Sequence, residues 1–181
     1  MPTFVALLRA VNVGAANRMK MADLRAAFVA AGFDDAVTHI QTGNVVFAST
    51  KSAAAIKETV EDLIRTDLGM KITAIIRTAK ELAAVAKHHP YGASDLKGLY
   101  VSFLDGKPTK DAIAALAAVE FPHERLEVIG REVYIDYGAA SAGTSRLSNA
   151  IIEKKLGLAA TSRNWTVVKN LAELAADHGG S

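Results

Sequence analysis

The sequence predicts an α+β protein of two tandem ferredoxin-like halves, each of the β-α-β-β-α-β type, with antiparallel sheets, helices packed on one face and a C-terminal helical pair. Three observations carry this. Residues 1–77 alternate β-rich runs and helical periodicity in the order β-α-β-β-α-β, which is the split βαβ order. A β-α-β-β order returns after residue 98. Hydrophobic residues make up 50% of the 181 but aromatic residues only 6%, so such a core rests on Leu, Ile and Val.

The elements follow in order. TFVALLR, residues 3–9, reads as a buried strand. Residues 21–31 form a helix with Leu24, Ala27, Phe28 and Ala31 on one face, and Gly32 is its stop. AVTHIQTGNVVFAS, residues 36–49, sets two β-rich runs around Gly43-Asn44, a hairpin. In residues 51–69, Ile56, Thr59, Val60 and Leu63 recur at helical spacing. KITAIIR, residues 71–77, closes the first half as a strand. Right-handed crossovers would place both helices on one face of a four-stranded sheet.

TAKE, residues 78–81, is a capping box, so a helix starts there and runs to about Lys87, short of Pro90. Residues 78–97 are read as a linking helix and loop, and residues 98–181 as the second half. That half opens with the strand GLYVSFLD at 98–105, then a short helix over 109–118 and a hairpin over 125–137 around Gly130. The small-residue loop YGAASAGTS follows, and two helices, over 145–156 and 162–176, finish the chain. The duplication is legible as element order, without a residue-level repeat.

Composition bounds the chemistry. There is no cysteine, which excludes disulfides, thiol catalysis and cysteine metal sites and fits a cytoplasmic protein. No apolar run approaches the roughly 20 residues of a membrane helix, and MPTFVALLRAV lacks the basic start of a signal peptide. The net charge of +2 is too small to imply nucleic acid. Residues 145–170 do concentrate Arg146, Lys154, Lys155, Arg163 and Lys169 against Glu153 alone. That is either mild support for an anionic partner or a solvated helix face.

Candidate site residues fall in three stretches. After the first strand come Arg9, Asn12, Gly14, Asn17, Arg18 and Lys20, crowded before a helix whose free amides favour anions; turn chemistry explains the same residues. In the hairpin, Gly43 and Asn44 suit a tight turn, whereas Gln41 is no turn former. In TSRNW, Thr161 or Ser162 is placed to cap the last helix, with Arg163 and Asn164 in its first turn. Arginine there opposes the helix dipole, so it is a candidate carboxylate or phosphate fork. Trp165 could stack on a ligand or fill the core.

No catalytic constellation is present. There is no P-loop, no G-x-G-x-x-G and no G-x-S-x-G. His88 and His89 are adjacent and point apart, without a third ligand at metal spacing. Catalytic residues are therefore unassigned, and nothing calls for a cofactor or metal.

VALLRAVNVG with KMADLRAAF, IQTGNVVF, and ATSRNWTVVKNL together resemble the bacterial domain-of-unknown-function family numbered 1697, nearly end to end and in the family's order. The resemblance implies two ferredoxin-like halves and supplies no activity. Carried over, its shared positions are Arg9, Asn12, Val13, Gly14, Lys20, Leu24, Gln41, Gly43, Asn44, Thr161, Arg163, Asn164 and Trp165. A glycine commonly precedes the asparagine of the first motif; this chain has Ala10 and then Val11.

The expected function is a binding protein with a polar, anion-compatible cleft built from Arg9, Asn12, Gly14, Lys20, Gln41, Asn44, Arg163, Asn164 and Trp165. Its ligand would be a nucleotide or phosphorylated metabolite. Single-stranded nucleic acid on the sheet, with Phe4 and Phe47 as stacking rings, is an alternative. So are an enzyme of unknown reaction and a homodimer formed through exposed sheet faces.

Overall fold

The computed structural model describes residues 1–13, 18–92, 96–138 and 142–179. The chain forms two compact units, Met1–Ala84 with Lys169–Ser181, and Val85–Val168.

In the first unit the chain runs β1 (Thr3–Leu8), α1 (Met21–Ala30), β2 (Val37–His39), β3 (Asn44–Ala48), α2 (Ala53–Asp67) and β4 (Ala74–Thr78). The sheet order is β2-β3-β1-β4, antiparallel throughout. Alternation along β1 sends Phe4, Ala6 and Leu8 to one face, where they meet Val45, Phe47 and Ile76. Leu24 and Phe28 of α1 and Ile56, Val60 and Leu63 of α2 close over the same face. Both helices therefore pack where the right-handed crossovers put them. Phe28 meets Phe47 edge-on at 5.4 Å, and Phe33 meets it at 4.6 Å. Phe4 and Phe47 are thus core residues, and neither offers a ring to a nucleic-acid base.

The capping box forms as read. Glu81 N donates to Thr78 Oγ1 at 3.1 Å, Thr78 N donates to Glu81 Oε2 at 2.9 Å, and α3 runs over Ala79–Lys87.

The second unit carries β5 (Leu99–Leu104), α4 (Lys110–Ala117), β6 (Arg125–Ile129), β7 (Glu132–Asp136), α5 (Asn149–Leu156) and β8 (Ala160–Asn164), and α6 (Trp165–His178) follows. Its sheet order is β6-β7-β5-β8, the first unit's order in the second set of strands. Leu104, Val133, Ile135 and Ala160 pack under Leu116 of α4 and Ile152 and Leu156 of α5.

β8 corrects the sequence reading. The C-terminal helices are not consecutive: a strand pairs with β5 between them, with Ser102 opposite Ser162 and Val101 opposite Arg163. ATSRN has little intrinsic strand preference, so tertiary pairing decides its conformation. Ser102 and Ser162 both donate to Asn149 Oδ1, at 3.0 and 2.9 Å, which satisfies two hydroxyls beneath the start of α5. The cap of α6 is Asn164, whose Oδ1 accepts from Val167 N at 2.9 Å; Thr161 and Ser162 lie in the strand before it.

With β8 in place, the halves repeat in individual contacts. Leu8 N donates to Gly43 O at 2.8 Å, and Leu104 N to Arg131 O at 2.9 Å. Ala74 N, opening β4, donates to Glu61 Oε1 at 3.0 Å; Ala160 N, opening β8, donates to Glu153 Oε1 at 2.8 Å. Each fourth strand then places a buried arginine one residue before a helix cap. Arg77 Nη1 donates to Ile76 O at 3.0 Å, and Arg163 Nη1 to Ser162 O at 2.9 Å. Among the described residues, no helix is long and apolar enough to cross a membrane.

Candidate functional site

The repeat makes one departure conspicuous. From β5 to α4 the chain needs only residues 105–109, whereas from β1 to α1 it takes residues 9–20. Connections of this kind commonly run about 2–6 residues. Five residues suffice for the same geometry in the second half, so the extra length is not a requirement of the fold.

Asn12 organises the long loop. Its Oδ1 accepts from Met19 N at 2.8 Å, and its Nδ2 donates to Met19 O at 2.9 Å and to Gln41 O at 2.7 Å. One side chain thereby closes the loop on itself and ties it to the β2–β3 hairpin. Asn12 sits at φ +54, a left-handed conformation that asparagine tolerates better than most residues. Ala10, where the resemblance would have glycine, is also left-handed, at φ +57.

Asn44 does the equivalent work inside the hairpin. It is fully buried, and its Nδ2 donates to His39 O at 3.1 Å and Thr42 Oγ1 at 3.0 Å. Gly43, at φ +72, packs its Cα side against Leu8 and Val11. Arg9 is half-buried and its amide donates to Thr73 O at 2.9 Å. Gly14 lies outside the described residues.

Loop and hairpin together enclose an open pocket of about 480 Å³, lined by Asn12, Arg18, Met19, Lys20 and Gln41. Arg18, Lys20 and Gln41 are solvent-exposed, and Met19 is buried. The described lining has two cations and no acid. Lys20 is also the N-cap of α1; its side chain makes no capping bond, and Asp23 lies in the first helical turn. The structure therefore brings Asn12, Lys20 and Gln41 together and adds Arg18. Among the described residues, no group of three or more His, Asp or Glu is placed to hold a metal ion.

The other predicted site residues belong to the second unit. Arg163 is buried, and its Nη1 donates to Thr161 Oγ1 at 2.8 Å as well as to Ser162 O. Burial pulls its pKa down to about 10, which leaves it charged at neutral pH. Trp165, the first residue of α6, is buried edge-on against His89 at 5.0 Å. His89 in turn meets Tyr134 edge-on at 5.3 Å. Burial raises the Tyr134 hydroxyl to about 12.

Adjacent to His88 and at no metal spacing, His89 carries no signal in the sequence, yet it is a buried hub. Its Nδ1 accepts from Tyr91 N at 3.3 Å, so the proton sits on Nε2, which donates to Tyr100 O at 3.1 Å. Desolvation is the largest influence on this ring and lowers its pKa below the ordinary 6.5. In the unfolded chain His89 takes up a proton near pH 6.5; in the folded chain it does so only at lower pH. The neutral ring's contribution is therefore complete above pH 6.5 and is lost as pH falls toward the lowered folded value. The urea midpoint is expected to drop between pH 7.5 and 5.5, and to drop less in His89→Asn. An equal drop in both proteins would assign the pH dependence to other groups.

Arg77 was equally unmarked in the sequence. The signal for it is the alignment of the two halves, AIIRT against ATSRN, which needs β8 to be recognised first.

Residues 1–134 match the family described as "Protein of unknown function (DUF1697)". No curated protein matches the chain. Among solved structures, the conserved bacterial protein SP0830 from Streptococcus pneumoniae is similar in fold, with a TM-score of 0.78 at 19% identity over 96% of this chain and 98% of that one.

Proposed function

Because the chain belongs to the DUF1697 family of proteins of unknown function, its own geometry has to carry the functional reading, and we propose that it binds a small anionic ligand, a nucleotide or phosphorylated metabolite, in the pocket between the β1–α1 loop and the β2–β3 hairpin. The observation that supports this is the twelve-residue loop 9–20, where the duplicated half needs five residues, folded around Asn12 into a wall bearing Arg18 and Lys20. Long loops on a rigid scaffold commonly carry function. Two cations without an acid in the described lining, next to the amides at the start of α1, favour an anion.

In this reading Arg18, Lys20 and Gln41 touch the ligand. Asn12 and Asn44 hold the backbone that presents them. Arg163, Asn164 and Trp165 serve the second unit through the bonds and packing already described.

The test is isothermal titration of pyrophosphate and a panel of mononucleotides and sugar phosphates at low and moderate salt. A ligand of this class is expected to bind the native protein at least about tenfold more tightly than Arg18→Ala/Lys20→Ala, the loss of roughly one charge-assisted contact. Its affinity should also fall with added salt. Absence of any anion binding by the folded protein, or binding that the double substitution leaves intact, would overturn the reading.

A further inference from the structure

Next in sequence to two residues of this lining stand two apolar side chains that an anion alone does not use. Val13 and Ile40 are 65% and 44% exposed. They are the chain neighbours of Asn12 and Gln41, the residues joined by the 2.7 Å bond that ties loop to hairpin. A single exposed aliphatic side chain is ordinary. These two adjoin in sequence the donor and acceptor residues of one hydrogen bond in the cavity wall.

Ile40 is the more telling. It lies at φ +50, and the non-glycine residues with positive φ among the described ones are Ala10, Asn12 and Ile40, all in this loop and hairpin. A β-branched residue is a steric outlier there. Asparagine or glycine would occupy the position with little strain. Exposed as it is, the isoleucine adds little to the hydrophobic core. The hairpin thus holds an apolar group in water, in a strained conformation, beside a cationic cavity. Backbone strain of this kind gathers at ligand clamps.

Building on the reading of the pocket as an anion site, we infer that its ligand is amphiphilic: an anionic head, phosphate or carboxylate, held by Arg18 and Lys20, joined to an aliphatic portion that lies against Val13 and Ile40. The occupant is a free small molecule. The cavity is concave and about 480 Å³, whereas a membrane surface calls for a broad apolar face backed by many basic residues. The described lining also has no aromatic ring on which a nucleobase could stack, which narrows the ligand toward aliphatic phosphates and carboxylates.

The experiment titrates the full chain with inorganic phosphate, acetate, hexyl phosphate, hexanoate and phosphatidylserine vesicles. The expected result is that one hexyl compound binds at least about tenfold more tightly than its head group alone, the effect of covering two or so methylenes. Which of the two it is identifies the head group. Val13→Asn and Ile40→Asn should remove that excess and leave binding of the bare head group unchanged. Ile40→Asn suits the left-handed turn, so its thermal midpoint should not fall, which separates lost contact from lost fold. Hexyl compounds that bind no better than phosphate or acetate would overturn the amphiphilic ligand while leaving the anion site standing. Failure of every anion would sink both. Binding to vesicles without binding to the free hexyl compounds would overturn the small-molecule occupant in favour of a lipid surface.

Discussion

Gly43→Ala is expected to destabilise the first unit by about 2–4 kcal/mol, the sum of left-handed strain and forced repacking. Two independent causes act at this residue. Its φ of +72 is one that an L side chain adopts only with strain. A Cβ there would also lie 2.9 Å from Leu8 Cβ and 3.0 Å from Val11 Cβ. Both of those atoms are anchored directly to the backbone of buried residues, so neither can swing aside as the tip of a long side chain would. The hydrogen bond from Leu8 N to Gly43 O, 2.8 Å long, pulls the two segments together and leaves no room to relax. Gly32→Ala supplies the comparison. That glycine has φ +88 but nothing within 4 Å of its added Cβ, so it should lose only about 1 kcal/mol, the strain alone. Urea denaturation of both variants with an unchanged slope measures the difference. Equal losses would show that close approach contributes nothing at Gly43.

Trp165→Ala is expected to cost about 3–5 kcal/mol, the range for removing a large buried aromatic. Trp165 is buried, and it presses on the ring of His89, which is held at both nitrogens. Emptying that space should also let water reach His89. Relief of desolvation would raise its pKa back toward the ordinary value, so the stability lost between pH 7.5 and 5.5 should shrink in the variant. Urea midpoints at the two pH values read both effects. A loss below about 1 kcal/mol would show that packing is not what Trp165 contributes, and would return it to the ligand-contacting role that its place in the TSRNW motif suggested.

How far the sequence reached is clear from particular elements. The capping box at Thr78 and Glu81 is local chemistry, four residues long, and it formed as read. The hairpin around Gly43 and Asn44 is likewise local. So are the amphipathic helices, whose Leu24, Phe28, Ile56 and Val60 face one core. Arg163 marks the other limit. The same five residues can start a helix or form a strand, and nothing within ATSRN decides between them. The vacant edge of β5 does, together with Asn149, which satisfies the hydroxyls of Ser102 and Ser162.

The candidate site divides along the same line. Clustering of Asn12, Arg18 and Lys20 in one loop was visible as composition. Their division of labour was not. An asparagine that donates to Gln41 O across 29 positions of sequence cannot be told, in sequence, from one that faces a ligand. The sequence by itself determined the fold class, the order of the first six elements and the segments that hold the polar loops, because these depend on periodicity, caps and turns a few residues apart. Only the tertiary structure decided that β8 exists, that the halves repeat down to a buried arginine, and which polar groups stay exposed. Those outcomes depend on hydrogen-bond partners that the fold brings from distant parts of the chain.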